Sequence, residues 1–185
     1  MDKIASNLLV IKAYIYEALV DNTSNTQNLY LLGNSKVKSQ VELFTTDNMR
    51  SAVGYGLISI YKNYKINGSI FEDGLTQMLA VSPMKAETWG RPLSQAWCSD
   101  TYNVNNVLTI RVGEVEWHES LDHSKWVIAG NDYACFGDMN RMDSQWKRGG
   151  AFYCLTETTL IAAMQKIVID HDQCILSPVK QLQTE

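Results

Sequence analysis

His123, Lys125, Asp138 and Asn140 are the side chains of this 185-residue sequence best suited to chemistry, and they fall in two short stretches, His123-Ser124-Lys125-Trp126 and Gly137-Asp138-Met139-Asn140. An imidazole can attack phosphorus or protonate a leaving oxygen, while an ammonium and a carboxamide can hold the non-bridging oxygens of a phosphodiester. Residues two apart on an extended chain project to one face. His123 and Lys125 therefore share a face and Asp138 and Asn140 share a face, with Ser124 and Trp126 turned to the opposite, core side. Between the stretches, Ala129-Gly130-Asn131-Asp132 is good turn sequence. A hairpin of Lys125–Ile128 and Tyr133–Phe136 is thus expected to bring the four polar groups together in one cleft.

Counted from His123, Lys stands at +2, Gly at +14, Asp at +15 and Asn at +17. This spacing resembles the half-site signature of the phospholipase D superfamily of phosphodiesterases. The usual Asp at +7 is replaced by Gly130, with Asn131 and Asp132 beyond it. The runs Asp122-His-Ser-Lys-Trp, Cys135-Phe-Gly-Asp-Met-Asn-Arg141 and Lys147-Arg-Gly-Gly150, with Cys154, closely resemble the second half of deoxyribonuclease II. The similarity covers most of the chain. It is densest from Asp122 to Cys154 and weaker around Tyr14-Ile-Tyr-Glu-Ala-Leu and Phe71-Glu-Asp-Gly-Leu. Members of that family carry two His-x-Lys motifs that meet at one site. Here there is one, because His118 precedes Ser120 and His171 precedes Gln173 at the +2 position.

The resemblance implies an α/β fold: a mixed sheet flanked by helices, forming one half of a phospholipase D-like pseudo-two-fold arrangement, with residues 1–185 a single half-domain lacking its N-terminal counterpart. It implies metal-free acid endonucleolysis of DNA that leaves 3′-phosphates, with no cofactor. In that scheme His123 is the general acid/base partner, Lys125 and Asn140 bind phosphate, and Asp138 orients an imidazole. Arg141, Lys147 and Arg148 would contact the DNA backbone. A second His-x-Lys motif would come from a homodimer partner or from the missing N-terminal half. A non-catalytic secreted relative that binds DNA or protein is the alternative, and a lipid phosphodiesterase fits the flanking residues less well. The four Cys allow three pairings, and the resemblance selects Cys135–Cys154 and Cys98–Cys174. Such bridges, with sequons at Asn22 and Asn67, imply a secreted or lysosomal glycoprotein.

Composition sets the background. With 45% hydrophobic and 19% charged residues, the chain suits one globular domain with a real core. Its formal charge of −4 does not advertise nucleic-acid binding. Near pH 5 the three His would lift that sum towards −1. No Cys-x-x-Cys pair occurs, and His118 and His123 are five apart, the wrong interval for a zinc helix. Residues 4–20 are broken by Lys12 and Glu17, so they read neither as a signal peptide nor as a membrane span, and Met1 reads as the start of a shortened chain.

The elements that must position the motif are read from periodicity. Leu8–Leu19 is a strand or short helix and Asp21–Asn28 a polar loop. Val37–Thr45 and Ala52–Tyr61 are strands, Phe71–Ala80 a helix, residues 81–105 mostly irregular, and Val107–Trp117 a single strand. Thr156–Asp170 is the clearest helix, with Leu160, Ala163, Met164 and Ile167 inward and Thr156 or Thr158 as cap. Lys62 and Lys65 could extend a DNA track or be ordinary surface.

Overall fold

The computed structural model describes residues 44–50 and 54–174. The expectations for Leu8–Leu19, Asp21–Asn28, Asn22 and most of Val37–Thr45 lie outside these residues. Within them, ten strands form a mixed sheet: β1 (Phe44–Arg50), β2 (Gly56–Lys62), β3 (Met84–Thr88), β4 (Trp97–Cys98), β5 (Asn103–Val112), β6 (Val115–His118), β7 (Lys125–Ala129), β8 (Tyr133–Gly137), β9 (Gly150–Leu155) and β10 (Val168–His171). The spatial order is β1-β2-β9-β8-β7-β3-β5-β10, with β4 and β6 also paired to β5. Only β3 and β5 run parallel; every other described pair is antiparallel.

Both faces of the sheet are covered, and strand alternation sorts side chains between them. Val127 and Ala129 of β7 join Ile60, Cys135, Phe152 and Cys154 in one core cluster. That cluster packs under a π-helical turn, Ile70–Leu75, and the short helix α1 (Thr76–Leu79), which contribute Ile70, Phe71, Leu75 and Leu79. Trp126 and Ile128 point the other way and meet Val107, Ile110 and Ala134 beneath α2 (Thr158–Ile167), which contributes Ile161 and Met164. No helix among the described residues is long and apolar enough to cross a membrane. Both bridges are present. Cys135–Cys154 joins directly opposed residues of β8 and β9, and Cys98–Cys174 ties β4 to the segment after β10.

Several elements differ from the periodicity reading. Residues 81–105 are mostly irregular, as expected, but they also hold β3, which sits between β7 and β5 near the centre of the sheet. Its Met-Lys-Ala-Glu-Thr sequence has weak strand propensity, and neighbours on both sides impose the conformation. Val107–Trp117 is a hairpin, not one strand: Gly113 takes φ +61 and Val112 pairs with Val115 across a two-residue turn. The C-terminal helix starts at Thr158, capped by the Glu157 carboxylate on the Thr159 N–H instead of by a Thr, and gives way to β10 at Val168. Of its expected stripe Leu160, Met164 and Ile167 face the core, but Ala163 is exposed and Ile161 is buried instead. The predicted Phe71–Ala80 helix is instead the π-turn followed by α1, stopped by Ala80 at φ 52. The strand β9 had no counterpart in the periodicity reading.

Glu87 is a titratable group sealed inside this core. It pairs with Trp126 across β3 and β7, is fully buried, and neither carboxylate oxygen has a hydrogen-bond partner among the described residues. Burial pushes its pKa from 4.5 up to about 8, helped by the charges of Asp122 and Glu119. A carboxyl whose folded-state pKa is raised stays neutral in the native chain but ionises on unfolding. Its contribution to stability is therefore complete below pH 4.5 and is lost as pH rises towards about 8. Glu87→Gln should match the wild type in acid and exceed it increasingly as pH rises, with the difference growing by up to about 1.4 kcal/mol per pH unit. Denaturant melts of both proteins from pH 5 to 8 would test this, and a pH-independent difference would show that Glu87 is charged in the fold.

Candidate active site

The motif residues gather at one end of the sheet, where β3 and β8 finish and β7 and β9 begin. The predicted hairpin is present: Trp126 pairs with Phe136 and Ala129 with Tyr133, so Lys125 starts β7 beside the Gly137 end of β8. Its turn is held by Gly130, at φ +53, whose N–H donates to the Pro83 carbonyl at 2.9 Å. The side chain of Gln165, on α2, donates to the Gly130 carbonyl and to Asn131. Gly130 lies at the turn, the length of β7 away from Lys125, about 16 Å at 3.3 Å per residue. A carboxylate there would be out of reach of the motif end.

Asp122 sets the entry to the motif. Its carboxylate accepts from the Ser124 N–H at 2.7 Å and from the Trp117 indole at 3.0 Å. Burial opposes charge on this group, but those hydrogen bonds and nearby Lys125 outweigh it and hold its pKa below the usual range. His123 follows, exposed, with its ring stacked on Trp89 at 4.7 Å between centroids. Lys125 donates to the His123 carbonyl at 2.5 Å, which uses one of its three N–H protons and leaves two for a ligand. Trp126 is buried as expected. Ser124 is exposed, so alternation, which holds inside β7, does not extend to the residues before it.

The loop from Asp138 to Gly149 carries the remaining candidates. Asp138 is exposed and committed to its own loop, bonding the Arg148 guanidinium at 2.9 Å and the Ala151 N–H at 2.9 Å. It touches no imidazole among the described residues. Gly150 permits this closeness, since a Cβ there would lie 2.3 Å from Met139 and 2.7 Å from the Asp138 carboxylate. Asn140 is half-buried, and its side-chain oxygen is buried without a partner among the described residues. Lys147 and Arg148 are exposed cations beside it in sequence.

Arg141 is not the exposed phosphate contact that the sequence suggests. It is 2% exposed. Its donors bond the Glu72 carboxylate, the carbonyls of Ser94 and Gln95 and the Asn106 side chain, while its N–H donates to the Thr88 hydroxyl. A guanidinium taken out of water must fill its donors with protein acceptors, and here none is left over for DNA. Burial raises the pKa of Glu72 even though Arg141 lowers it. Lys62 likewise leaves the proposed DNA track. It is fully buried and gives its three N–H protons to the carbonyls of Ile66, Trp146 and Arg148 at 2.7–3.0 Å. Burial takes its pKa down to about 8 against the pull of Asp73. Sequence reasoning missed Glu72, Asp122, Trp89 and the structural use of Lys62. Asp122 was signalled by its place before the motif, but the other three act across long sequence separations that no local pattern reports.

These two buried cations have testable consequences. Arg141→Ala should destabilise the fold by about 3–5 kcal/mol, because Glu72 loses its buried counter-charge. Lys62→Met should cost about 2–4 kcal/mol by orphaning three carbonyls, and should loosen the Lys147–Arg148 loop. Chemical denaturation and hydrogen exchange at residues 146–148 would check both. If either variant melts like the wild type while only DNA affinity falls, that side chain is a ligand contact after all.

Comparison with known sequences fits this site. A family model described as Deoxyribonuclease II matches residues 1–174. Deoxyribonuclease-2-beta of Mus musculus is 27% identical, over 94% of this chain and 51% of its own length. Cell-death-related nuclease 7 of Caenorhabditis elegans is 29% identical, over 74% of this chain and 39% of its own. Plancitoxin-1 of Acanthaster planci is 30% identical, over 69% of this chain and 37% of its own. The chain thus spans about half the length of the curated relatives it matches, or less. With a family match running from residue 1 to residue 174 and the motif loops assembled at one end of the sheet, this chain belongs to the deoxyribonuclease II family.

Proposed function

We propose that the chain carries one half of the active site of an acid endonuclease that hydrolyses DNA phosphodiester bonds without a metal and leaves 3′-phosphates. The observation that carries this reading is the β7–β8 hairpin, which delivers Lys125 to the end of the sheet where the Asp138–Asn140 loop departs. In the proposed reaction one imidazole attacks phosphorus, forming an N–P bond as the P–O5′ bond breaks. The second imidazole gives its proton to the departing O5′. That same group then takes a proton from water, whose oxygen displaces the first imidazole and releases the 3′-phosphate. His123 serves as the acid/base partner. Lys125, with two free protons, and Asn140, next to the anchored Arg141, bind the non-bridging oxygens. Lys147 and Arg148 are the exposed cations for the neighbouring backbone phosphates.

In-line attack and departure need imidazoles on opposite sides of one phosphorus, and this sequence has one His-x-Lys motif. A second would come from an identical chain across a two-fold axis or from an N-terminal half. The two disulfides support an oxidising setting, secreted or lysosomal. Asn67 is exposed and open to glycosylation.

Plasmid DNA should be nicked by the purified chain near pH 5 in EDTA, alone or with an added N-terminal half, and His123→Ala should abolish nicking. If a homodimer shares the site, mixtures of wild type and His123→Ala should lose activity faster than the wild-type fraction falls. Strict proportionality would rule out the shared site. DNA binding without any cleavage under either condition would leave the non-catalytic reading in its place.

A further inference from the structure

We propose that Trp89 is a positioning residue for His123, its indole holding the imidazole in one orientation so that both ring nitrogens stay available to the phosphodiester. The inference rests on the reading of His123 as the acid/base partner. It starts from a contrast among the three imidazoles. His118 engages the Ser120 hydroxyl and the Glu119 carboxylate through its Nδ1, and His171 engages the Asp172 carbonyl through its Nδ1. His123 has no such bond among the described residues and is held by its face, stacked on Trp89 at 4.7 Å with the planes 26° apart. A hydrogen bond to a ring nitrogen would orient an imidazole but occupy an atom that proton transfer needs. Stacking restrains the ring plane and leaves the edge free. An indole face also accepts the charged imidazolium, so the platform serves before and after the proton moves.

The platform is tied to the rest of the site. Trp89 directly follows Thr88, the last residue of β3, which pairs with Lys125 and whose hydroxyl accepts the Arg141 N–H at 3.0 Å. The indole and the imidazole therefore leave adjacent strands at the same edge, and the anchor that seats Asn140 also seats Trp89. Behind it the chain folds back tightly, since a Cβ on Gly90 would lie 2.7 Å from the Leu93 side chain. An exposed His would otherwise spend its time among rotamers, and misplacing a reacting group is costly in rate.

The test joins a spectrum to a rate. In protein labelled at its three His, the His123 ring protons, assigned by their absence in His123→Ala, should be shifted upfield by the indole ring current. Trp89→Leu should remove that shift and lower kcat about tenfold or more with KM nearly unchanged, and Trp89→Phe should restore most of both. Should the Leu variant fail to fold, the wild-type spectrum and the Phe variant still decide. Unshifted His123 protons in the wild type, or an unchanged kcat in Trp89→Leu, would overturn the proposal alone. A wild-type chain that keeps the shifted signals but never cuts DNA would overturn the nuclease reading, and with it the catalytic purpose of the stack.

Discussion

The guanidinium of Arg141 is the point on which the motif end of this protein depends. It joins the Ile70–Leu75 turn through Glu72, the loop at Ser94 and Gln95 through their carbonyls, and β5 through Asn106, while its own backbone grips β3 at Thr88. Four segments that are distant in sequence converge on one residue, three of them on its side chain. A buried cation tolerates little rearrangement, because each lost acceptor leaves an uncompensated donor. The residue before it, Asn140, therefore has its backbone position set by a network it takes no part in.

The same division of labour recurs around the site. Lys62 sinks beneath the sheet edge and holds the carbonyls of Trp146 and Arg148, so the loop bearing Lys147 and Arg148 is tethered from below. Arg148 closes the loop from above through Asp138. Cations that look interchangeable in sequence thus separate into buried ones that shape loops and accessible ones, half-buried Lys125 and exposed Lys147 and Arg148, that can meet an anion. This partition is compatible with the proposed phosphate site on a chain of formal charge −4, because local placement and not the sum sets the potential at the motif.

Across the sheet from this chemistry, Glu87 and Trp126 lie side by side, with Glu119 and Asp122 close enough to raise the carboxyl further. Trp126 belongs to the core cluster under α2 and is next in sequence to Lys125. The strand that carries the motif is thus packed on one face by a core that prefers low pH and opens on the other to the loops. A buried carboxyl favoured by acid and a site proposed to work in acid thus share the same short stretch of chain.

Much of the site was legible in the sequence because its logic is local. An apolar run from Lys125, a Gly-Asn-Asp turn and a returning strand fix the β7–β8 hairpin through side-chain alternation and turn chemistry alone. The family match extends that reading from the motif to the chain. Other features needed the tertiary structure. The strand β3 has poor propensity and exists because β7 and β5 flank it. Arg141 and Lys62 look like surface cations until the fold supplies acceptors from residues up to 86 positions away. Trp89 and His123, 34 residues apart in sequence, meet only because β3 and β7 are neighbours. Sequence by itself determined which groups could do chemistry and the shape of the β7–β8 hairpin that presents Lys125. Which of those groups are buried, which are free, and what holds them in place was decided by long-range pairing, because burial and hydrogen-bond partnership belong to the assembled sheet and not to any local stretch of chain.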